Sequence, residues 1–276
     1  MSKDTRFTHA LATHRWAAMN SQDFAQLKPA RAVAVLPLGA TEQHGPHLPL
    51  NVDTVLVDGV VDAALTHLDK QDPVLVLPTQ TVGLSSEHIA FAGTLTLSPH
   101  TAISQWCDLG ASVARAGVKK LLLFNAHGGN VGLMDVVARE LRAQHGLIVY
   151  SSSWYNLPLD EKVMTQFSAD EHRFGIHAGD IETSMMLALA PESVDMAKAQ
   201  NFASSSQQRA ATYPILGNGR SAKLGWHMQD YNPQGAVGNA TAATSAKGAA
   251  VLQSAGEQLA KLLQELMDLP LSTVRT

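Results

Sequence analysis

Five side chains have the types and surroundings that a hydrolytic metal site requires. Glu42 and His44 lie in Gly39-Ala40-Thr41-Glu42-Gln43-His44-Gly45-Pro46-His47, and Asp53 follows shortly after. His127 sits in Asn125-Ala126-His127-Gly128-Gly129-Asn130, and Glu182 in His177-Ala178-Gly179-Asp180-Ile181-Glu182-Thr183-Ser184. Mixed carboxylate and imidazole ligands hold divalent ions that activate water, so the set points to a metal-dependent hydrolase.

Several of these residues also have a plainer explanation. The spacing of two puts Glu42 and His44 on one side of an extended backbone, where each could serve one of two ions. Asp53 precedes a helical pattern and could be its N-cap, although a Glu-x-His nearby favours a bridging carboxylate. His127 leaves an apolar strand in a Gly-Gly turn that allows close approach to an ion, or it is a histidine satisfied by backbone. Gly128-Gly129 lacks the lysine and full glycine spacing of a phosphate loop. His177 and Glu182 are five apart and do not share a helical face, so His177 must sit before the helix, with Gly179 breaking the approach. Glu182 is then a first-turn ligand or an acid favoured by the helix dipole.

The elements that must position these residues follow a βα rhythm, the pattern of a parallel sheet covered on both faces. Short apolar runs predict strands over 32–38, 74–77, 121–125 and 147–151, and apolar spacing predicts helices over 54–68, 99–116, 131–144, 181–190 and 245–268. Residues 201–239 are rich in Ser, Gly, Asn and Gln and read as an irregular excursion, a lid or a subunit contact, within a single domain over 1–276. In open α/β sheets ligands bind beyond the carboxyl ends of the strands. Glu42 and His44, then Ser85-Ser86-Glu87-His88, then His127, then Trp154-Tyr155 follow the four predicted strands in turn.

Composition excludes several classes. A net charge of −4 without Lys/Arg runs gives no footprint for nucleic acid or an anionic membrane surface. The lone cysteine, Cys107, cannot form an intrachain disulfide and reads as a buried structural thiol. Met1-Ser2-Lys3-Asp4-Thr5-Arg6-Phe7 leads into polar, helix-like sequence without an apolar signal core, and no run approaches the roughly 18 apolar residues of a membrane span. A cytoplasmic protein is expected.

Taken together, the motifs resemble the creatininase (creatinine amidohydrolase) family over almost all of the chain. The marks are Leu36-Pro37-Leu38 running into the Glu42 motif, Asp53-Thr54, Gly83-Leu84-Ser85-Ser86-Glu87-His88 with Gly93-Thr94-Leu95, the His127 motif, and His177-Ala178-Gly179 with Glu182-Thr183-Ser184. A weaker match is Gly235-Ala236-Val237-Gly238 with Ala243-Thr244-Ser245-Ala246-Lys247-Gly248. The resemblance implies a three-layer α/β/α sandwich with a mainly parallel sheet, a homo-oligomer that is often a hexamer, and two divalent metal ions per subunit, Zn or Mn, with Fe as a further option. It places Glu42 and His127 on one ion and His44 and Glu182 on the other, with Asp53 bridging. His177 becomes the acid that protonates the departing nitrogen as an activated water attacks the amide carbon.

One departure bears on substrate. Creatinine-cleaving members carry a glutamate two residues after the histidine, where this chain has Gly129, and Asn239 stands where many relatives have Asp. Creatinine is therefore not the expected substrate. The expected reaction is cleavage of a non-peptide or cyclic amide C–N bond, with formamide deformylation or terminal peptide cleavage as alternatives within the family. A phosphoesterase, or a non-catalytic small-ligand-binding protein on the same fold, are alternatives of other classes.

Around the ligands, Ser86, Gly128, Gly129, Trp154 and Tyr155 are candidate substrate contacts, although aromatic side chains at a strand end also serve as core. Glu87 and His88 are candidates for orienting a ligand, or form a loop ion pair. No pattern assigns His47, and Trp226-His227 fits a substrate or a subunit contact equally.

Overall fold

The computed structural model describes residues 13–275; the stretch Met1 to Phe7 discussed above lies outside them. Four parallel strands, β1 (Val33–Leu38), β2 (Val74–Val76), β3 (Lys120–Asn125) and β4 (Ile148–Ser153), form one sheet in the order β2-β1-β3-β4. The register runs Val33↔Lys120 to Leu38↔Asn125 and Lys120↔Ile148 to Asn125↔Ser153. Leu38, Asn125 and Ser153 therefore stand side by side at the carboxyl edge, and the three segments that leave them start from one line.

Helices α1 (Val52–Leu65), α2 (Pro99–Arg115) and α3 (Val131–His145) connect the strands. After β4 come α4 (Glu161–Met164), α5 (Ala169–Phe174), α6 (Asp180–Leu189), β5 (Asn201–Phe202), α7 (Ser205–Thr212), α8 (Met228–Tyr231), β6 (Gly238–Asn239) and α9 (Ser245–Asp268). Side chains alternate across a strand, and the sheet uses both faces. Val33, Val35, Leu122 and Phe124 pack under α1, α6 and α9. Ala34, Leu36, Leu38, Leu121 and Leu123 pack under α2 and α3. The result is the three-layer α/β/α architecture expected.

Helix ends follow local chemistry. Ser98 caps α2 by accepting from the Thr101 N–H, and Thr244 caps α9 by accepting from the Lys247 N–H. Gly248 lets α9 lie against α6, since a Cβ there would stand 1.8 Å from the Ser184 carbonyl oxygen.

Several expected boundaries shift. The first helix begins at Val52, ahead of residue 54, and ends at Leu65, short of residue 68. β4 runs on to Ser153 because β3 offers partners as far as Asn125; its middle, Tyr150 and Ser151, is exposed, as suits an edge position. Cys107 is only partly buried at the margin of the core, which corrects the reading of a buried thiol. The 201–239 excursion carries α7 and α8, and its base is closed by the pairs Asn201↔Asn239 and Phe202↔Gly238.

Candidate metal centre

The five ligand candidates, spread from position 42 to 182, converge at the carboxyl edge of the sheet. Glu42 and His44 follow β1, Asp53 is the second residue of α1, His127 follows β3, and Glu182 lies in the first turn of α6. Asp53 does not cap its helix: Asn51 holds the cap position without a side-chain bond, and the Asp53 carboxylate is buried in the site. Two groups of side chains bring ligand atoms within 4.8 Å of one another: Glu42, Asp53 and His127, and His44, His177 and Glu182. Asp53 joins them, with Oδ2 3.4 Å from His127 Nδ1 and Oδ1 3.6 Å from His44 Nε2.

Hydrogen bonds on the outer ring nitrogens orient both candidate imidazoles. His127 Nε2 donates to the Leu84 carbonyl at 2.7 Å, leaving Nδ1 toward Glu42 and Asp53. His44 Nδ1 donates to the Glu42 carbonyl at 3.0 Å, leaving Nε2 free toward Asp53. This outer-nitrogen anchoring is how metal-binding imidazoles are held.

Glu42, His88 and His177 form a third group within ligand distance. There Gln43 Nε2 donates to His88 Nδ1 at 2.7 Å, so the opposite His88 nitrogen carries the proton and faces Glu42 Oε1 at 3.3 Å. His88 thereby turns a ring N–H toward the Glu42 carboxylate.

Buried acceptors test whether ions fit. Glu42 Oε2, Asp53 Oδ2 and His44 Nε2 are buried without any hydrogen-bond partner. Orphaned buried acceptors of this kind are costly and rare. Three of them converging with Glu182, in a set of nitrogen and oxygen donors, suit divalent cations.

The pKa shifts describe the same crowding. Burial pushes the Glu42 carboxyl up, but the imidazoles, His127 foremost, more than reverse this and hold it low. Burial disfavours charge on His44 and His127, yet Asp53 beside the first and Glu42 beside the second raise them to about 9 and about 10. Burial raises Glu182 to about 7.

His177 precedes α6, with its Nε2 donating to the Gln43 carbonyl at 2.8 Å and its ring 4.2 Å from that of His44. Burial, then the charges of His44 and His88, keep it neutral. Gly179 is the extended N-cap of α6, at the break the sequence placed there, and the preceding Ala178 is left-handed with φ 56°. Gly179 also allows close packing: a Cβ there would stand 2.3 Å from Glu171 Oε1.

Glu171 is a buried residue that no motif indicated. Its carboxylate accepts from the N–H groups of Ile181 at 3.2 Å and Asn239 at 3.1 Å, tying the first turn of α6 to β6. His47, which no pattern assigned, bonds Thr183 at 3.0 Å and stacks on Phe202.

A cavity of about 810 Å³ opens beside the candidate ligands. Ser86, Glu87, Gly128, Gly129, Trp154 and Tyr155 all line it. Trp154 is also core, 5% exposed, whereas Tyr155 is 41% exposed. The excursion adds Leu224 and Trp226 to the wall, and Trp226 stands edge-on to His88. No lysine or arginine lines the cavity among the described residues.

The family model described as creatinine amidohydrolase matches residues 17–263. The chain belongs to the creatininase family. A mycofactocin precursor peptide peptidase from Mycobacterium ulcerans (strain Agy99) is 33% identical over 222 residues, 78% of this chain and 77% of that protein. A creatinine amidohydrolase from Pseudomonas putida is 34% identical over 178 residues, 59% of this chain and 66% of that protein. A crystal structure of creatinine amidohydrolase superposes with a TM-score of 0.72 at 26% identity, covering 91% of this chain and 96% of the other. Other creatininase structures similar to this fold are Zn–Zn and Mn forms.

Proposed function

We propose that this creatininase-family protein is a metal-dependent amidohydrolase whose substrate is an amide larger than creatinine. In this reading Glu42, Asp53 and His127 hold one divalent ion, His44 and Glu182 hold a second, and Asp53 is shared. The orphaned acceptors Glu42 Oε2, Asp53 Oδ2 and His44 Nε2 carry the proposal. Nitrogen and oxygen donors without a thiolate accommodate Zn and Mn about equally, and Fe as well. Ions bound there supply Lewis-acid polarisation of a carbonyl and a water of lowered pKa.

The protein's own groups handle the proton. With Nε2 donating to the Gln43 carbonyl, His177 presents its Nδ1 lone pair, 3.9 Å from Glu42 Oε1. A neutral ring of this tautomer starts as a base: Nδ1 takes a proton from the attacking water and returns it to the departing nitrogen. That protonation is the acid role expected of His177. His88 and Gln43 keep the Glu42 carboxylate in place meanwhile.

The cavity supports the larger substrate. Its volume of about 810 Å³ falls in the range of roughly 300–1,000 Å³ of sites for drug-sized ligands. A terminal peptide bond is the second reading, supported by that size and by the relative named a peptide peptidase. A phosphoesterase is disfavoured because, among the described residues, no lysine or arginine lines the cavity to meet a phosphate.

The test is a screen of Zn- and Mn-loaded protein against cyclic amides, formamides and short peptides, following release of the amine. Cleavage of at least one amide class, with phosphate monoesters untouched, is expected. Phosphate release without C–N cleavage, or a protein that takes up no metal, would overturn the reading.

A further inference from the structure

Glu87 is the carboxylate that the hydrolytic arrangement does not use. Glu42, Asp53 and Glu182 belong to the ligand groups, and Glu171 is saturated by backbone N–H donors. Glu87 lies on the cavity wall, its side chain only 12% exposed. Beyond its own backbone N–H, the polar edge that faces it is His127 Nε2 at 3.6 Å, whose proton already serves the Leu84 carbonyl. Its other charged neighbours, Glu42 and Asp53, repel it, and among the described residues no lysine or arginine lines the cavity.

Gly129 makes room for this carboxylate. A Cβ at position 129 would stand 2.4 Å from Glu87 Oε1, 2.5 Å from His127 Nε2 and 2.2 Å from the Leu84 carbonyl oxygen. The space that a side chain at 129 would claim is filled by Glu87, reaching in from the loop after β2. A largely buried carboxylate short of donors is expensive unless something supplies them.

We propose that Glu87 is a specificity-determining residue that binds a cationic, N–H-rich group of the substrate, an ammonium or amidinium, beside the scissile bond. The aromatic wall, with Trp226 edge-on to neighbouring His88, receives the apolar part of the same molecule. The inference deepens the amidohydrolase reading and rests on it only for the position of the bond.

Calorimetric titration of the Zn-loaded protein with benzamidine and with its neutral analogue benzamide tests the proposal. The wild type should bind benzamidine about 10-fold or more tightly than benzamide, the scale of a hydrogen bond to a charged partner. Glu87→Gln, nearly isosteric, should bring the two affinities together while zinc content and melting temperature stay unchanged. A wild type without preference, or a preference that survives Glu87→Gln, would overturn the proposal. So would a loss of zinc in the variant, which would make Glu87 part of the ion-holding set. Absence of amide hydrolysis in the screen above would count against the amidohydrolase reading and leave this binding preference standing.

Discussion

Glu42 has three imidazoles around one carboxylate oxygen and none at the other. His127, His88 and His177 stand 3.2, 3.3 and 3.9 Å from Oε1, while Oε2 is buried without a partner. That asymmetry makes single-residue roles separable. Asp53→Ala should lower bound metal from two equivalents per chain toward one or none by elemental analysis; unaltered stoichiometry would reject the bridge. His177→Ala should keep both ions and lose about 10²–10⁴ in turnover; unchanged turnover would reject its proton role.

Proton linkage gives a further residue-scale prediction. Burial alone would lower His44 and His127, but neighbouring carboxylates raise them to about 9 and about 10 in the metal-free site, above the ordinary 6.5. Metal uptake must expel those protons, so affinity should rise with pH up to about 9–10 and then level off, by about one decade per pH unit for each proton displaced. The metal-free fold should behave conversely: these rings should stabilise it fully below 6.5, with that contribution fading as pH rises through about 9–10. Competition with a chelator across this range measures the first trend, and a flat profile would contradict it. The ligand candidates were legible because each sits in a short motif at a strand or helix end. Gln43 and Glu171 were not: Gln43 meets His177 across 134 residues and Glu171 meets Asn239 across 68, distances at which local spacing carries no signal.

At the scale of elements, the start of α6 depends on contacts that hold Glu182. Glu171 accepts from Ile181 and Asn239, and Glu182 Oε2 accepts from the Ala178 N–H at 2.6 Å. Glu171→Ala would orphan two N–H groups at about 1–3 kcal/mol each. It should also weaken the second ion more than the first in a two-site metal titration; equal weakening would deny this anchoring. Gly248→Ala drives a Cβ into the Ser184 carbonyl and should destabilise by about 1–3 kcal/mol in denaturant unfolding; an unchanged midpoint would contradict the packing. The long strands were legible as apolar runs buried on both faces. β5 and β6 were not, because two residues on each side carry no periodicity and pair only across the excursion.

For the whole molecule, the βα rhythm made the layered fold legible, whereas the strand order β2-β1-β3-β4 arises from packing that no single strand encodes. That order sets β1 beside β3, so the Glu42 loop and His127 meet. Ions that bind only the folded arrangement stabilise it by mass action. At a free concentration about 100-fold above Kd this is worth roughly 2.7 kcal/mol per site, or about 5–10 °C in Tm for a chain of this size. Chelation should reverse the gain in a thermal melt, and an unmoved Tm would contradict it. The central claim is that the buried carboxylate and imidazole set holds the ions that drive amide hydrolysis. The most direct test follows amine release from the amide panel by protein first stripped by chelator and then reloaded with Zn or Mn. Hydrolysis should vanish on stripping and return on reloading; hydrolysis indifferent to the metal would contradict the account.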